Sequence, residues 1–224
     1  MATNNSINNT SNPLSSTAVT VDPAASADSY VQYSISSTAK FRVGVDQSAS
    51  DSYKISQGNA LGTNDTFVIT SAGEITEPLQ PAFLAYNSAT DTNATGNAVT
   101  YTVICDSEVY DQNSDYNNGT GIFTAPVTGR YAFNSTIRLS SIGASNTTAQ
   151  FALVASNRTM VGQFNKGGGL QNAGGELSYS VSTYVDMDAA DTARIQITVV
   201  GGTQTVGVVG DSVPNTWFSG YLAV

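Results

Sequence analysis

An alternation of aromatic residues in two distant segments is the feature that most constrains the fold of this chain. In residues 121–133 and again in residues 216–223, large aromatic side chains recur on alternating positions. Alternate side chains of a β-strand point to the same face, so this period of two predicts strands with one aromatic face. Pro126 and Gly129 interrupt the first segment and predict two strands joined by a tight turn.

Short strand patterns recur along the rest of the chain, and no helical period extends over a useful window. Runs rich in Val, Thr, Tyr and Phe alternate with turns of Gly, Asn and Asp. This pattern predicts an all-β protein whose larger part is an antiparallel β-sandwich. The predicted strands of that part are 99–105, 121–124, 129–139, 149–155, 177–187, 193–200 and 216–223.

Composition divides the chain into three segments. Residues 1–27 are rich in Asn, Ser, Thr and Ala, which predicts a flexible docking arm that buries no core alone. Residues 28–78 carry four short alternating runs and predict a β-rich neck that needs a surface to pack on. Pro78 and Pro81 mark a boundary, because proline donates no ladder hydrogen bond, and residues 79–224 are the predicted head. The predicted strands of the neck are 30–35, 40–45, 52–55 and 66–70.

Charge and residue usage argue against several classes of function. A net charge of −9 with only eight Lys and Arg residues argues against binding to the phosphate backbone of nucleic acids. No apolar run approaches the ~18 residues of a membrane span, and the first residues have no secretory pattern, so synthesis as a soluble cytoplasmic product is expected. Histidine is absent, which removes the commonest general base, and no catalytic residue is assigned.

The two aromatic segments carry a family resemblance. The order Phe-x-x-Pro-x-x-Gly-x-Tyr-x-Phe at residues 123–133, with Phe-x-Gly-Tyr-Leu at residues 218–222, resembles the signature of the C1q/tumour necrosis factor (C1q/TNF-like) jelly roll. The resemblance covers residues 81–224 and departs from the family in the glycine-rich segment 167–175. It implies a homotrimer in which the family's aromatic positions form the core and the subunit interface. Carried over one by one, these positions are Phe83, Phe123, Tyr131, Phe133, Phe218 and Tyr221.

A second resemblance lies in the neck. Residues 41–46, 51–58 and 61–67 resemble a β-structured module of bacteriophage tail fibres and other phage appendages. The resemblance implies a trimeric shaft and a place at the virion surface. We therefore expect a homotrimeric virion fibre or spike that docks on other virion proteins through its arm and attaches to a host-surface glycan through its head. A capsid decoration without receptor binding, a glycan depolymerase spike and a cellular adhesin remain alternatives.

Two tyrosines in the polar segment before Phe123 are the candidate ligand-binding residues. Tyr110 and Tyr116, with Asn117 beside them, could stack on a sugar ring and hydrogen-bond to its hydroxyl groups. The structural alternative places such tyrosines in the core or at a subunit interface.

Oxygen-bearing side chains at alternate positions of the same segment suggest a metal hypothesis. Asp111, Asn113 and Asp115 have the spacing of calcium ligands. However, Tyr116 takes the place of the glycine and Ile122 that of the bidentate glutamate in a helix-loop-helix calcium loop. A weak calcium site and a hairpin loop with Asx turns are the two interpretations, and no other cofactor is predicted.

Three further acidic residues and one thiol are candidates for chemistry. Asp186, Asp188 and Asp191 form the carboxylate cluster that a depolymerase would need, with a solvated turn as the alternative. Cys105 is the only cysteine and follows an apolar run, which predicts a buried, structural thiol.

Overall fold

A computed structural model describes Val21, Pro23 and residues 26–165 and 175–224. The chain divides into two compact units, Met1–Pro78 and Leu79–Val224, here called the N-terminal and C-terminal units. The predicted docking arm lies almost wholly outside the described residues, as does most of the glycine-rich segment 167–175. No helix among the described residues is long and apolar enough to span a membrane.

The N-terminal unit is a five-stranded antiparallel meander in which each strand pairs with the next along the chain. Ser36 and Ser37 form its first two-residue turn with φ values of 49° and 62°, the geometry that lets a tight turn follow the twist of its strands. A short 3-10 helix spans Gln47–Ala49. The strands are β1 (Ser29–Ile35), β2 (Thr38–Asp46), β3 (Ser52–Gln57), β4 (Asp65–Ile69) and β5 (Ile75–Thr76).

A buried ion triad stabilises one face of this sheet. Lys54 Nζ lies 2.8 Å from Asp46 Oδ2 and 3.0 Å from Asp65 Oδ2, and all three side chains are almost fully buried. Gly62 closes over them with a φ of +81°, and a Cβ at this position would come within 2.8 Å of Asp46 Oδ2. Burial alone would raise the pKa of Asp46, but hydrogen bonds from Lys54 and Ser48 outweigh it and lower that pKa.

The C-terminal unit consists of two antiparallel sheets packed face to face. The six-stranded sheet has the order β10-β11-β16-β13-β14, with β8 paired to β16. The seven-stranded sheet has the order β7-β17-β12-β18-β6-β9, with β15 paired to β12. The strands are β6 (Ala82–Tyr86), β7 (Asp91–Thr95), β8 (Thr100–Thr102), β9 (Ser107–Asp111), β10 (Tyr116–Asn117), β11 (Ile122–Thr124), β12 (Gly129–Ile142), β13 (Asn146–Ala155), β14 (Arg158–Asn165), β15 (Gly175–Met187), β16 (Thr192–Gly201), β17 (Val206–Val208) and β18 (Trp217–Leu222).

Six aromatic rings form the centre of the core between the two sheets. The ring of Phe83 stacks on Tyr116 at 4.6 Å and on Phe123 at 5.2 Å, and it meets Phe218 edge-on at 5.0 Å. This aromatic cluster consists of Phe83, Tyr116, Phe123, Tyr131, Phe133 and Phe218.

Of the six aromatic residues predicted to form the core and the subunit interface, five are buried in the core of the single chain and the sixth is not. Tyr221 is 46% exposed, because it lies three residues from the buried Phe218 and therefore faces the other side of β18. The ring that completes the cluster is Tyr116, which was expected in an exposed loop and is 4% exposed.

Gly220 leaves the space that two rings of the aromatic cluster occupy. It pairs with Phe83 of β6 on one side and with Phe133 of β12 on the other. A Cβ at Gly220 would lie 2.5 Å from Phe133 Cδ1 and 2.9 Å from Phe83 Cε1. The two rings therefore cover the glycine backbone, and a side chain at this position would push them apart.

Replacing Lys54 is expected to destabilise the N-terminal unit strongly. Lys54→Ala leaves two buried carboxylates without a counter-charge, which costs about 3–5 kcal/mol when one partner of a buried ion pair is removed. Native-state amide hydrogen exchange of the β2–β4 backbone would measure the loss, with the exposed Lys40→Ala as the matched control. Equal protection in the two variants would contradict the role of the triad.

The same triad determines the pH range over which the N-terminal unit is most stable. The folded-state pKa of Asp46 is lowered from its usual 3.8. The contribution of Asp46 to the stability of the unit is therefore complete above pH 3.8 and disappears as pH falls through the lowered pKa. Burial would lower the pKa of Lys54, but hydrogen bonds to Asp46 and Asp65 raise it from 10.5. The lysine contribution is therefore complete below pH 10.5 and disappears as pH rises through the raised value.

A methyl group at Gly220 is expected to destabilise the C-terminal unit. Gly220→Ala overpacks the aromatic cluster, a change that typically costs about 1–3 kcal/mol. Gly143→Ala is the matched control, because a Cβ there would meet nothing closer than 3.7 Å. Urea unfolding followed by the fluorescence of the single tryptophan, Trp217, measures both, and a Gly220→Ala variant as stable as wild type would contradict the packing account.

Candidate functional site

The outward face of the seven-stranded sheet presents an uncharged surface rich in aromatic and hydroxyl groups. Phe218 and Gly220 of β18 point into the core, so Trp217, Ser219 and Tyr221 point outward. Cross-strand register arranges the outward residues in rows. The first row consists of Tyr184, Ala132, Tyr221 and Ala82.

Two further rows extend this face along the strands. The second consists of Ser182, Asn134, Ser219, Leu84 and Tyr110, and the third of Ser180, Thr136, Trp217, Tyr86 and Ser107. Hydrogen bonds cross them, with Ser182 Oγ donating to Asn134 Oδ1 over 2.7 Å and the hydroxyls of Thr136 and Ser180 2.7 Å apart. We call the three rows the outer face.

Charges border the outer face at both ends. Beyond its first row Asp186 is paired with Arg158 at 2.7 Å, and beyond its third row Arg138 is paired with Glu176 at 2.5 Å. The rows between carry no ionisable acid or base other than the tyrosine phenols. Such a surface can pack against another uncharged surface without desolvating a charge.

An aromatic groove of about 360 Å³ lies at the end of the outer face nearest β9. Trp217 pairs with Tyr86 and Leu84 with Tyr110, which brings three aromatic rings from three strands together. Val109 and Tyr110 are 56% and 49% exposed. The groove is lined by Leu84, Tyr86, Val109, Tyr110, Pro214, Trp217 and Ser219.

The structure separates the three predicted ligand-binding residues. Tyr110 lies in the aromatic groove. Tyr116 is wrong as a ligand contact, because it is buried beneath Phe83 and its hydroxyl donates a hydrogen bond to the Cys105 carbonyl over 3.2 Å. Burial raises the pKa of the Tyr116 phenol far above its usual range. Asn117 is exposed, and its Oδ1 accepts a hydrogen bond from the Gly119 amide.

The candidate calcium residues take part in a turn. Asp111 accepts hydrogen bonds from the backbone amides of Asp115 and Tyr116, over 3.1 and 3.0 Å, so its two oxygens cap the turn. Asp115 Oδ2 is buried without a hydrogen-bond partner, and burial and the neighbouring Asp111 raise the pKa of Asp115. Asn113 is exposed. Among the described residues, no group of three or more His, Cys, Asp and Glu side chains is arranged to hold a metal, and calcium binding here stays a prediction.

The carboxylates considered for depolymerase chemistry are engaged at the edge of the sandwich. Asp186 is paired with Arg158, and Asp191 Oδ2 accepts a hydrogen bond from the Asp188 amide over 3.0 Å. Asp186 and Asp188 are exposed and border a second groove of about 350 Å³ with Thr128 and Arg130. The Asp188–Asp191 hydrogen bond belongs to the turn between β15 and β16, whereas the Asp186–Arg158 ion pair joins β15 to β14.

Cys105 lies just after β8 and is fully buried, as predicted. Burial, and then the nearby Asp106 carboxylate, raise the pKa of its thiol to about 12. The thiol is therefore protonated at neutral pH and inaccessible to reagents.

The ligand-binding residues chosen from the sequence did not include two aromatic residues of the outer face, Trp217 and Tyr86. Their signal was present: both alternate with core residues, Trp217 with Phe218 and Tyr86 with Ala85. An aromatic residue on the face opposite a buried aromatic or small residue indicates a strand with two apolar faces.

Comparisons with known proteins give one family and several similar folds. The C1q domain family matches residues 82–223. The globular domain of zebrafish complement 1qA is 20% identical, covers 65% of this chain and 98% of its own, with a TM-score of 0.43. Eiger TNF from S. frugiperda is 13% identical over 65% and 93% of the two chains, with a TM-score of 0.45. Murine APRIL is 10% identical over 65% and 99%, with a TM-score of 0.43. No curated protein sequence matches significantly.

Proposed function

The chain belongs to the C1q domain family, and on that premise we propose that it is a homotrimeric virion fibre or spike protein, from a bacteriophage, that attaches to a host-surface glycan. The family forms homotrimers and is generally non-enzymatic. The proposal assigns the C-terminal unit to subunit association and attachment, and the N-terminal residues to docking on other virion proteins.

The outer face is the observation that carries the trimer proposal. Tyr184 and Tyr221 of its first row are 64% and 46% exposed in the single chain. Exposed aromatic side chains on an uncharged patch favour burial against a partner surface. In a homotrimer the partner surfaces come from the other two copies, so the exposed Tyr221 fits an interface position.

The aromatic groove supports the attachment proposal. Trp217 and Tyr221 are four residues apart on β18, about 13 Å along the strand. An interface centred on the Tyr184–Tyr221 row therefore leaves room for a ligand at Trp217, Tyr86 and Tyr110. Aromatic faces stack on the apolar face of a sugar ring, and three weak sites on one trimer strengthen attachment through multivalency.

The assignment to a virion is supported by the sequence of the N-terminal unit. Its segments at residues 41–46, 51–58 and 61–67 resemble phage appendage proteins. Deleting the protein from the particle tests the assignment against its main alternative. Normal particle stability with lost host adsorption would support attachment, whereas lost stability with normal adsorption would support a capsid decoration.

A charge on the first row of the outer face is expected to weaken the trimer. Tyr184→Asp places an unpaired carboxylate in the interface, which should weaken association by at least about tenfold, equivalent to ~1.4 kcal/mol. Light scattering should give wild type a mass near three times 23.2 kDa, and the variant should dissociate at higher concentrations than wild type.

The matched control is Val161→Asp, which places the same charge on the other sheet at a residue that is 59% exposed. It should leave the trimer intact. A trimeric Tyr184→Asp variant as stable as wild type would show that the interface lies elsewhere, and a monomeric wild type would refute the trimer itself.

Removing one ring from the aromatic groove is expected to weaken glycan binding. Tyr110→Ala should lower affinity by about fivefold, because an aromatic contact contributes ~1 kcal/mol. Tyr110→Phe retains the ring and should bind nearly as wild type. Since Trp217 is the only tryptophan, its fluorescence during titration with polysaccharide from host cells reports binding at the groove. An unchanged affinity in Tyr110→Ala would exclude the groove as the site.

A further inference from the structure

One face of the N-terminal sheet is uncharged and mostly apolar. Residues paired across strands lie on the same face, and the register gives three such rows. The first row consists of Ser29, Val45, Tyr53, Ile69 and Ile75, the second of Val31, Val43, Ile55 and Phe67, and the third of Tyr33, Phe41 and Gln57. We call these rows the apolar neck face.

The apolar neck face is open in the single chain. Val31, Tyr33, Phe41, Tyr53 and Ile75 are between 41% and 62% exposed. The remaining apolar members, such as Val43 and Phe67, are only partly buried. Contiguous apolar patches of this kind on a soluble protein mark surfaces that a partner covers.

Charge is confined to the opposite face of the same sheet. That face carries the triad of Lys54, Asp46 and Asp65, and it carries Arg42, whose guanidinium lies 4.1 Å from the ring centre of Tyr30. The apolar neck face has no charged residue in any of its three rows. Another protein of the same charge would therefore meet charged side chains on the opposite face but none on the apolar neck face.

We propose that the apolar neck face packs against the same face of two other copies of this chain. The proposal rests on the homotrimer proposed above and adds a second contact surface, outside the C1q domain. Each chain has a net charge of −9, so copies repel one another in general. An uncharged apolar face is where identical chains can meet without placing like charges together.

The covalent link between the two units favours copies over an unrelated partner. If three C-terminal units associate, the chain that joins them at residues 78 and 79 keeps three N-terminal units close together. Tethering of this kind gives local concentrations in the millimolar range. At that concentration three exposed apolar faces bury one another before a dilute partner reaches them, and none of their rows offers a charge that would select such a partner.

The buried thiol makes a specific labelling experiment possible. Cys105 is fully buried, so a cysteine introduced at the surface is the only reactive one, and the wild type serves as the blank. Val31→Cys lies on the apolar neck face and Gln32→Cys, the adjacent residue, on the opposite face. Both full-length variants are labelled with pyrene maleimide, and pyrene excimer emission and native mass are measured on the same samples.

The expected result is a trimeric mass for both variants, with excimer emission several-fold stronger from Val31→Cys than from Gln32→Cys. A trimer with equal or no excimer emission would overturn the neck contact and leave the homotrimer standing. If the Val31→Cys thiol of the trimer resists labelling, oxidation decides: an interchain disulfide supports the neck contact, whereas no disulfide means that another segment of the same chain covers the face, which also overturns the proposal. A monomeric mass for wild type and variants would overturn both proposals.

Discussion

The packing of two phenylalanine rings over one glycine determines the arrangement of the C-terminal unit. Gly220 lies in β18 between Phe83 of β6 and Phe133 of β12, and the rings occupy the space that its side chain would need. With Gly220 facing inward, the alternation of the strand directs Trp217, Ser219 and Tyr221 outward. The outer face and its aromatic groove therefore follow from how the core is filled.

The N-terminal unit uses different interactions. Among its described residues the sheet has no cluster of packed aromatic rings, and the side chains that close over one of its faces form an ion triad with a glycine above it. Buried ion pairs stabilise a fold less than apolar packing of the same volume, although breaking one is costly. The other face is mostly apolar and open. The interior of this unit is therefore small and depends on a few defined ion-pair contacts, as expected for a single sheet with a limited core.

The period of two in the sequence predicted the all-β class and most of the longer strands, whereas the C1q-like fold followed from the family resemblance of residues 123–133 and 218–222. Strands such as β7 (Asp91–Thr95) and β14 (Arg158–Asn165) were missed. Polar residues occupy most positions of β7, and Gly162 and polar residues interrupt the apolar pattern of β14, so these strands depend on pairing with their neighbours in the sheet more than on local propensity. Tyr221 was carried over from the family pattern, whereas its spacing from Phe218 already placed it on the other face. Tyr116 follows a run of Asp, Asn and Ser, and only its pairing with Phe123 in a hairpin reveals it as a core residue. The partners of Lys54 lie on two other strands, and no local pattern predicts such contacts.

The position of β18 has a consequence for synthesis on the ribosome. In the N-terminal unit every strand pairs with its neighbour in sequence, so that sheet can form progressively while the chain emerges. In the C-terminal unit β6, the first strand made, reaches the rest of its sheet through β18, the last. Until the chain has been translated to Leu222, Phe83 and Phe133 have no Gly220 to cover, and the half-built sandwich exposes aromatic surface that is prone to aggregation. Premature termination just before β18 would accordingly remove far more structure than six residues.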